Sequence, residues 1–222
     1  MLQYNPLSTE PFPDRSTTQI FRRRLLFVVR YLRAKANQRR IESLLQIVER
    51  SFAHPWVADV ELKIRPWPGG DTRLERLWRA YKSLPIQSMH WDAPVAISVF
   101  RERRGKKRQA LCMSVYLANN SIYIAQIQGI ARTDAPKELR SWPKIFIESC
   151  RMFAAQEKLN QVMVPKAETL YSYRNPFLRG DLSPDARAHN IERIRRNMKL
   201  LYDTNAIQLG FIPNGDWFMW KV

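Results

Sequence analysis

Ile122-Tyr123-Ile124-Ala125-Gln126-Ile127-Gln128-Gly129, then Ser141 to Ala154, then Gln161-Val162-Met163-Val164-Pro165, and finally Tyr202-Asp203 ahead of Leu209-Gly210-Phe211, is the stretch that decides the fold. The first run alternates with the two-residue period of a strand. In the second, Trp142, Ile145, Phe146, Cys150, Phe153 and Ala154 recur at helical steps, with Ser141 placed to cap the helix and Pro143 in its first turn. Gln161 to Val164 returns to strand character within a few residues. Strand, helix and strand in that order form a crossover unit, and the two strands of such a unit run parallel.

Working outward, Pro94 to Phe100, Gln109 to Leu117 and Ser121 to Gln128 read as three strands. The last two are joined by Asn119-Asn120, residue types that tolerate the left-handed backbone of a tight hairpin. Downstream, Asn190 to Leu201 has helical spacing, and Gln208 to Ile212 and Trp217 to Trp220 read as closing strands. The connection from Pro165 to His189 is long, which marks functional or disordered segments. The expected class is α+β, a mixed and mainly antiparallel sheet flanked by helices.

Upstream, Met1 to Ser16 carries Pro6, Pro11 and Pro13 and reads as an extended arm. From Thr17 onward Ile20, Leu25, Val28, Val29 and Leu32 recur mostly at three- and four-residue steps, so a helix is expected. A second, about Asn37 to Phe52, shows Ile41, Leu44, Leu45 and Val48 on one face and ends at His54-Pro55. Glu61 to Thr72, with Pro66, Pro68, Gly69 and Gly70, reads as a turn-rich connection, and Arg73 to Lys82 as a short helix. Three regions result: an arm (1–16), a basic helical region (17–92) and an α/β core (93–222).

The chain has 222 residues, 45% of them hydrophobic, which is enough for one sizeable core. Its net charge of +17 exceeds what solubility requires and points to an anionic partner: nucleic acid, an anionic membrane face or a phosphorylated substrate. Between Arg22 and Arg40 stand eight basic residues and no acidic one, among them Arg22, Arg23, Arg30 and Arg33. Arg101 to Arg108 adds six more around Gly105, including Arg103, Arg104, Lys106 and Lys107. These two clusters are the candidate anion-binding surfaces, and each is equally compatible with a solvated face. Cys112 and Cys150 sit in apolar surroundings and read as buried free thiols, which suits a reducing cytoplasm. His54, His90 and His189 share no ligand spacing, so no metal site is expected. The N-terminus lacks the apolar core of a secretory signal, and no run reaches the roughly 20 apolar residues of a spanning helix. The expected location is the cytoplasm, peripheral to a membrane or to nucleic acid.

Three antiparallel strands, a helix, a strand, a helix ending in Leu209-Gly210-Phe211 and terminal strands resemble the GNAT acyltransferase superfamily. That resemblance implies a donor, acyl-CoA or an aminoacyl carrier, held where the fourth strand ends, with backbone N–H groups at a helix start receiving phosphate. Gln126, Gln128, Gly129 and Lys144 are the implied cofactor-binding residues. Gly129-Ile130-Ala131-Arg132-Thr133-Asp134-Ala135-Pro136 departs from the family's glycine-rich loop: Asp134 would repel phosphate and Pro136 removes a donor. The tyrosine that such enzymes place four residues before the glycine is Ala206 here. Tyr202 lies one turn earlier, a displacement of about 5–6 Å along a helix. Tyr202, Asp203 and Glu148 are the candidate catalytic residues, as proton donor, partner and general base. Tyr202 and Asp203 serve equally well as a hydrogen-bonded pair that fixes a helix, and Gln126 and Gln128 as cross-strand contacts.

Most of the chain is also similar to the bacterial VirK/YbjX-like family: in Arg22-Arg23-Arg24-Leu25-Leu26-Phe27-Val28-Val29-Arg30, in His54-Pro55 to Arg65-Pro66, in Ile127-Gln128-Gly129, in Lys144 and in the spacing of Tyr202-Asp203 to Leu209-Gly210. It departs from that family at Ala80-Tyr81, where a His-Tyr pair is expected. Two functions follow as expectations. One is a divergent GNAT-like acyltransferase acting on an acceptor recruited by the basic surfaces. The other is a non-catalytic basic protein that docks to nucleic acid or to an anionic membrane.

Overall fold

The computed structural model describes residues 17–64, 93–129, 136–139, 141–174 and 184–222, with the side chains of 17–24, 137, 171, 172 and 184 outside the description. The arm (1–16), the segment from 65 to 92 with its expected short helix, Asp134 and the side chains of Arg22 and Arg23 therefore lie outside the described residues.

Two helices lead, α1 (Thr17–Ala36) and α2 (Gln38–Ser51). In α2 the three- and four-residue spacing of Ile41, Leu44, Ile47 and Val48 puts all four on one buried face. Strand β1 (Asp59–Ile64) comes next, where a turn-rich connection was expected from Glu61 on. It is a strand because Asp59 to Ile64 pairs antiparallel, residue for residue, with Phe100 to Val95 of β2 (Val95–Arg103). Edge pairing of this kind rests on a distant partner and leaves only a faint local signal.

Strands β3 (Lys106–Ala118) and β4 (Ser121–Gly129) complete a meander. Asn119 and Asn120 have φ of 50° and 51°, the mirror-image turn that suits the twist of a hairpin. Arg104 (φ 54°) and Gly105 (φ 66°) do the same between β2 and β3. The basic run from Arg101 to Arg108 is thus a two-residue turn on a ribbon, and the strands reach further into it than their apolar stretches suggest.

After β4 come α3 (Trp142–Gln156), β5 (Gln161–Pro165) and a short helix, α4 (Tyr171–Arg174). Ser141 makes no side-chain cap to α3; its carbonyl accepts from the N–H groups of Lys144 and Ile145. Helix α5 (Pro184–Lys199) starts earlier than expected and runs through a π-helical turn (Leu200–Thr204) into α6 (Asn205–Gln208). Gly210, at φ 80°, stops it: the N–H of Phe211 reaches the carbonyl of Ala206 and that of Gly210 the carbonyl of Ile207. Leu209-Gly210-Phe211 is thereby a helix terminator of the Schellman type. Strands β6 (Ile212–Asn214) and β7 (Trp217–Lys221) close the sheet.

Among the described residues the sheet has seven strands in the order β1-β2-β3-β4-β5-β7-β6, and every neighbouring pair is antiparallel except β4 with β5. Helices α2 and α3 pack together on it. One core joins Ile41, Leu44, Ile47, Val48 and Phe52 of the leading segment to Ile97, Leu111, Met113, Ile124, Phe146 and Phe153. The boundary placed at 92/93 falls between two paired strands of one sheet. An ion pair ties the helices: Arg40 donates from Nε to Glu157 Oε2 and from Nη2 to the Glu157 carbonyl, both at 2.9 Å. No helix of the described residues is long and apolar enough to cross a membrane.

Candidate functional site

Among the described residues, the sheet opens at the parallel pair β4–β5. Pairing runs only from Ser121–Gln161 to Tyr123–Met163, although β4 continues to Gly129. Just beyond, the register against β3 shifts: Val115 faces Ile124 and Ser114 faces Gln126, so Ala125 is an extra, bulged residue. A bulge sharpens strand twist and turns β4 away from its neighbour.

What fills the opening comes from the π-helical turn. The Tyr202 hydroxyl, on a buried side chain, accepts from the N–H of Ile127 at 2.8 Å and donates to the carbonyl of the same residue at 3.0 Å. The adjacent Asp203 accepts, through Oδ1, from the N–H of Ala167 at 2.8 Å, just past the end of β5. Consecutive side chains therefore clip the two diverging strands, Tyr202 to β4 and Asp203 to the chain leaving β5. The turn that presents them is held open by Asn205, whose side-chain amide donates to the carbonyls of Leu200 (2.7 Å) and Leu201 (3.1 Å). Burial raises the Asp203 carboxyl above the usual carboxylate range, opposed by the Ala167 hydrogen bond and by Lys199.

At the end of β4, the exposed Gly129 has the indole of Trp142 beside it. A Cβ built on Gly129 would lie 2.7 Å from Cζ2 of that indole, far inside van der Waals contact. The glycine is thus required by an aromatic ring from the first turn of α3. Gln126 and Gln128 are half-buried and lie opposite Ser114 and Cys112. The Ser114 hydroxyl is buried without a hydrogen-bond partner, so the cross-strand contact is one of proximity.

Glu148 and Lys144, one helical turn apart on α3, line a depression of about 320 Å³ with Ser51, Ile145 and Leu209. Glu148 accepts from Arg151 Nη1 at 2.9 Å, and that guanidinium also reaches the Leu209 carbonyl and stacks 4.4 Å from the Trp220 ring. The structure brings Tyr202 and Asp203 together with Gly129's strand, and Lys144 and Glu148 line a depression whose lining includes neither Tyr202 nor Asp203.

The candidate anion-binding residues divide in the same way. Arg30 stacks over Tyr116 at 3.8 Å, which anchors α1 to β3. Lys107 is bonded to Asp59 and, at 2.6 Å, to Glu61; its ammonium holds the Glu61 carboxyl below the usual range. Arg33, Arg103, Arg104 and Lys106 are exposed and make no ion pair with the described residues. Asp59 and Glu61, which neutralise Lys107, went unnoticed in the sequence because β1 itself did. Cys112 and Cys150 are buried free thiols, and burial pushes the Cys150 thiol far up. Compared with known proteins, the chain matches no family model and no curated protein.

Proposed function

We propose that this protein is a docking module for anionic surfaces, built on an acyltransferase-like scaffold whose donor cleft is filled by its own side chains. The observation that carries this reading is the pair of bonds between the Tyr202 hydroxyl and Ile127. A donor lying along β4 would need those backbone groups, and here a buried phenol already satisfies both. Docking then falls to the charge of +17 and to exposed arginines and lysines such as Arg33, Arg103, Arg104 and Lys106. Each phosphate met by such a residue releases counterions, so affinity rests on charge number more than on sequence.

The test is binding of a fluorescent oligonucleotide and of anionic vesicles as salt is raised, for the wild type and for Arg103→Glu/Arg104→Glu/Lys106→Glu. Steep loss of affinity with salt, and weaker binding by the variant, are expected. Binding that neither salt nor charge reversal alters would sink the proposal.

Acyl transfer is the second reading, favoured by the strand order, the parallel β4–β5 pair and the bulge at Ala125. It requires Tyr202 to leave Ile127 when a donor enters. Calorimetric titration with acyl-CoA and aminoacyl donors separates the two: saturable heat with any of them supports transfer, and its absence supports docking.

A further inference from the structure

Helix α1 is amphipathic twice over. Its inward face carries Phe27 and Ala34, both buried, with Arg30 stacked on Tyr116 at the margin. At 3.6 residues per turn, Leu25, Val28, Val29 and Leu32 fall within an arc of about 100° on the opposite side. All four are exposed, Leu25 at 53% and Leu32 at 59%. Together with Leu26 they are five of the ten exposed large apolar residues among those described, and the other five are scattered over four other elements and the C-terminus. Arg33 and Lys35, both exposed, flank the strip on either side near its C-terminal end. The helix holds six basic residues and no acidic one.

We infer that the outer face of α1 lies in the interface of an anionic phospholipid bilayer, with Leu25, Val28, Val29 and Leu32 in the acyl boundary and the flanking cations at the headgroup phosphates. The inference deepens the docking reading and rests on it, since it names the surface. Charge complementarity selects the occupant. A nucleic-acid backbone offers phosphates for the arginines and nothing for four aliphatic side chains. A second copy of this chain would bring like charges together around the strip. A bilayer interface accepts both components, because an in-plane helix with a basic border gains from apolar burial and from anionic lipid together.

The experiment is co-sedimentation of the full chain with vesicles of phosphatidylglycerol and phosphatidylcholine, and of phosphatidylcholine alone, beside oligonucleotide binding measured on the same samples. The wild type is expected to sediment with the anionic vesicles only. Leu25→Ser/Leu32→Ser, whose sites are exposed, is expected to keep its circular dichroism and its oligonucleotide binding while vesicle partitioning falls about tenfold or more. An environment-sensitive dye attached through Leu32→Cys is expected to shift to the blue on anionic vesicles, the two native thiols being buried. Vesicle binding that the serine variant leaves unchanged, absence of the spectral shift, or a solution dimer dispersed by the serine substitutions would each overturn the inference. Binding to oligonucleotide without vesicles would overturn it and leave the docking function standing. Binding to neither would remove both.

Discussion

Tyr202 contributes to the fold through a ring buried in the core and through its hydroxyl. Replacing it with phenylalanine keeps the ring and strands the N–H and C=O of Ile127, which are buried beside a strand edge. Such unsatisfied groups cost about 1–3 kcal/mol, so Tyr202→Phe is expected to lower the denaturation midpoint correspondingly. A change under about 0.5 kcal/mol would mean that water replaces the hydroxyl and that the opening is wet. Asp203 acts through its charge as well. Its folded-state pKa is raised, chiefly by burial, so between about pH 3.9 and that raised value the folded chain binds more protons than the unfolded one. Its contribution to stability is therefore full below the unfolded pKa and is lost as pH climbs through the folded one. Asparagine keeps the acceptor for the Ala167 N–H and has no proton to lose. Asp203→Asn is expected to be at least as stable as the wild type at pH 7 and to lose this stretch of pH dependence, read from urea midpoints between pH 4 and 8. An unchanged pH profile would refute the assignment.

At the scale of elements, the contact between β4 and α3 is set by the absence of one methyl group. Gly129→Ala drives a Cβ into the Trp142 indole, and overpacking of this kind costs about 1–3 kcal/mol. The loss is expected to shrink when Trp142→Leu is added, because the smaller side chain leaves the end of β4 open; additive losses in the double variant would show that the two residues do not share this contact. The same pair shows what was legible. The strand character of Ile122 to Gly129 and the helix beginning at Trp142 follow from local periodicity, and the observed bounds match closely. That Gly129 makes room for Trp142 could not be read, since they stand thirteen positions apart and only the packing of α3 on the sheet brings them together. Strand β1 was missed for a related reason: Asp59 to Ile64 becomes a strand by pairing with β2, across some thirty residues of chain.

Across the whole molecule, charge and fold answer different questions. In the docking proposed above, the excess of seventeen positive charges sets how the protein would meet an anionic surface, and a salt series measures it: for duplex DNA the slope of log affinity against log salt is about −0.9 for each phosphate neutralised. Removing three cations at the hairpin tip is expected to flatten that slope as well as weaken binding. Two basic residues of these clusters are already paired within the protein: Lys107 with Asp59 and Glu61, and Arg40, among the eight of the leading cluster, with Glu157.

By itself the sequence determined the mixed class of the fold, a helix from Thr17, one at about 37–52 and one from Ser141 to Ala154, the hairpin at Asn119-Asn120, the burial of both cysteines and the large positive charge. Each of these depends on periodicity, turn chemistry or composition, which are local or summed properties of the chain. Only the tertiary structure decided that Tyr202 and Asp203 clip the two diverging strands, that Glu148 pairs with Arg151, and that α1 turns an apolar face outward. Those depend on which groups meet across long sequence separations, where a hydroxyl finds a strand edge or a helix face stays exposed among the described residues, and no local pattern encodes such meetings.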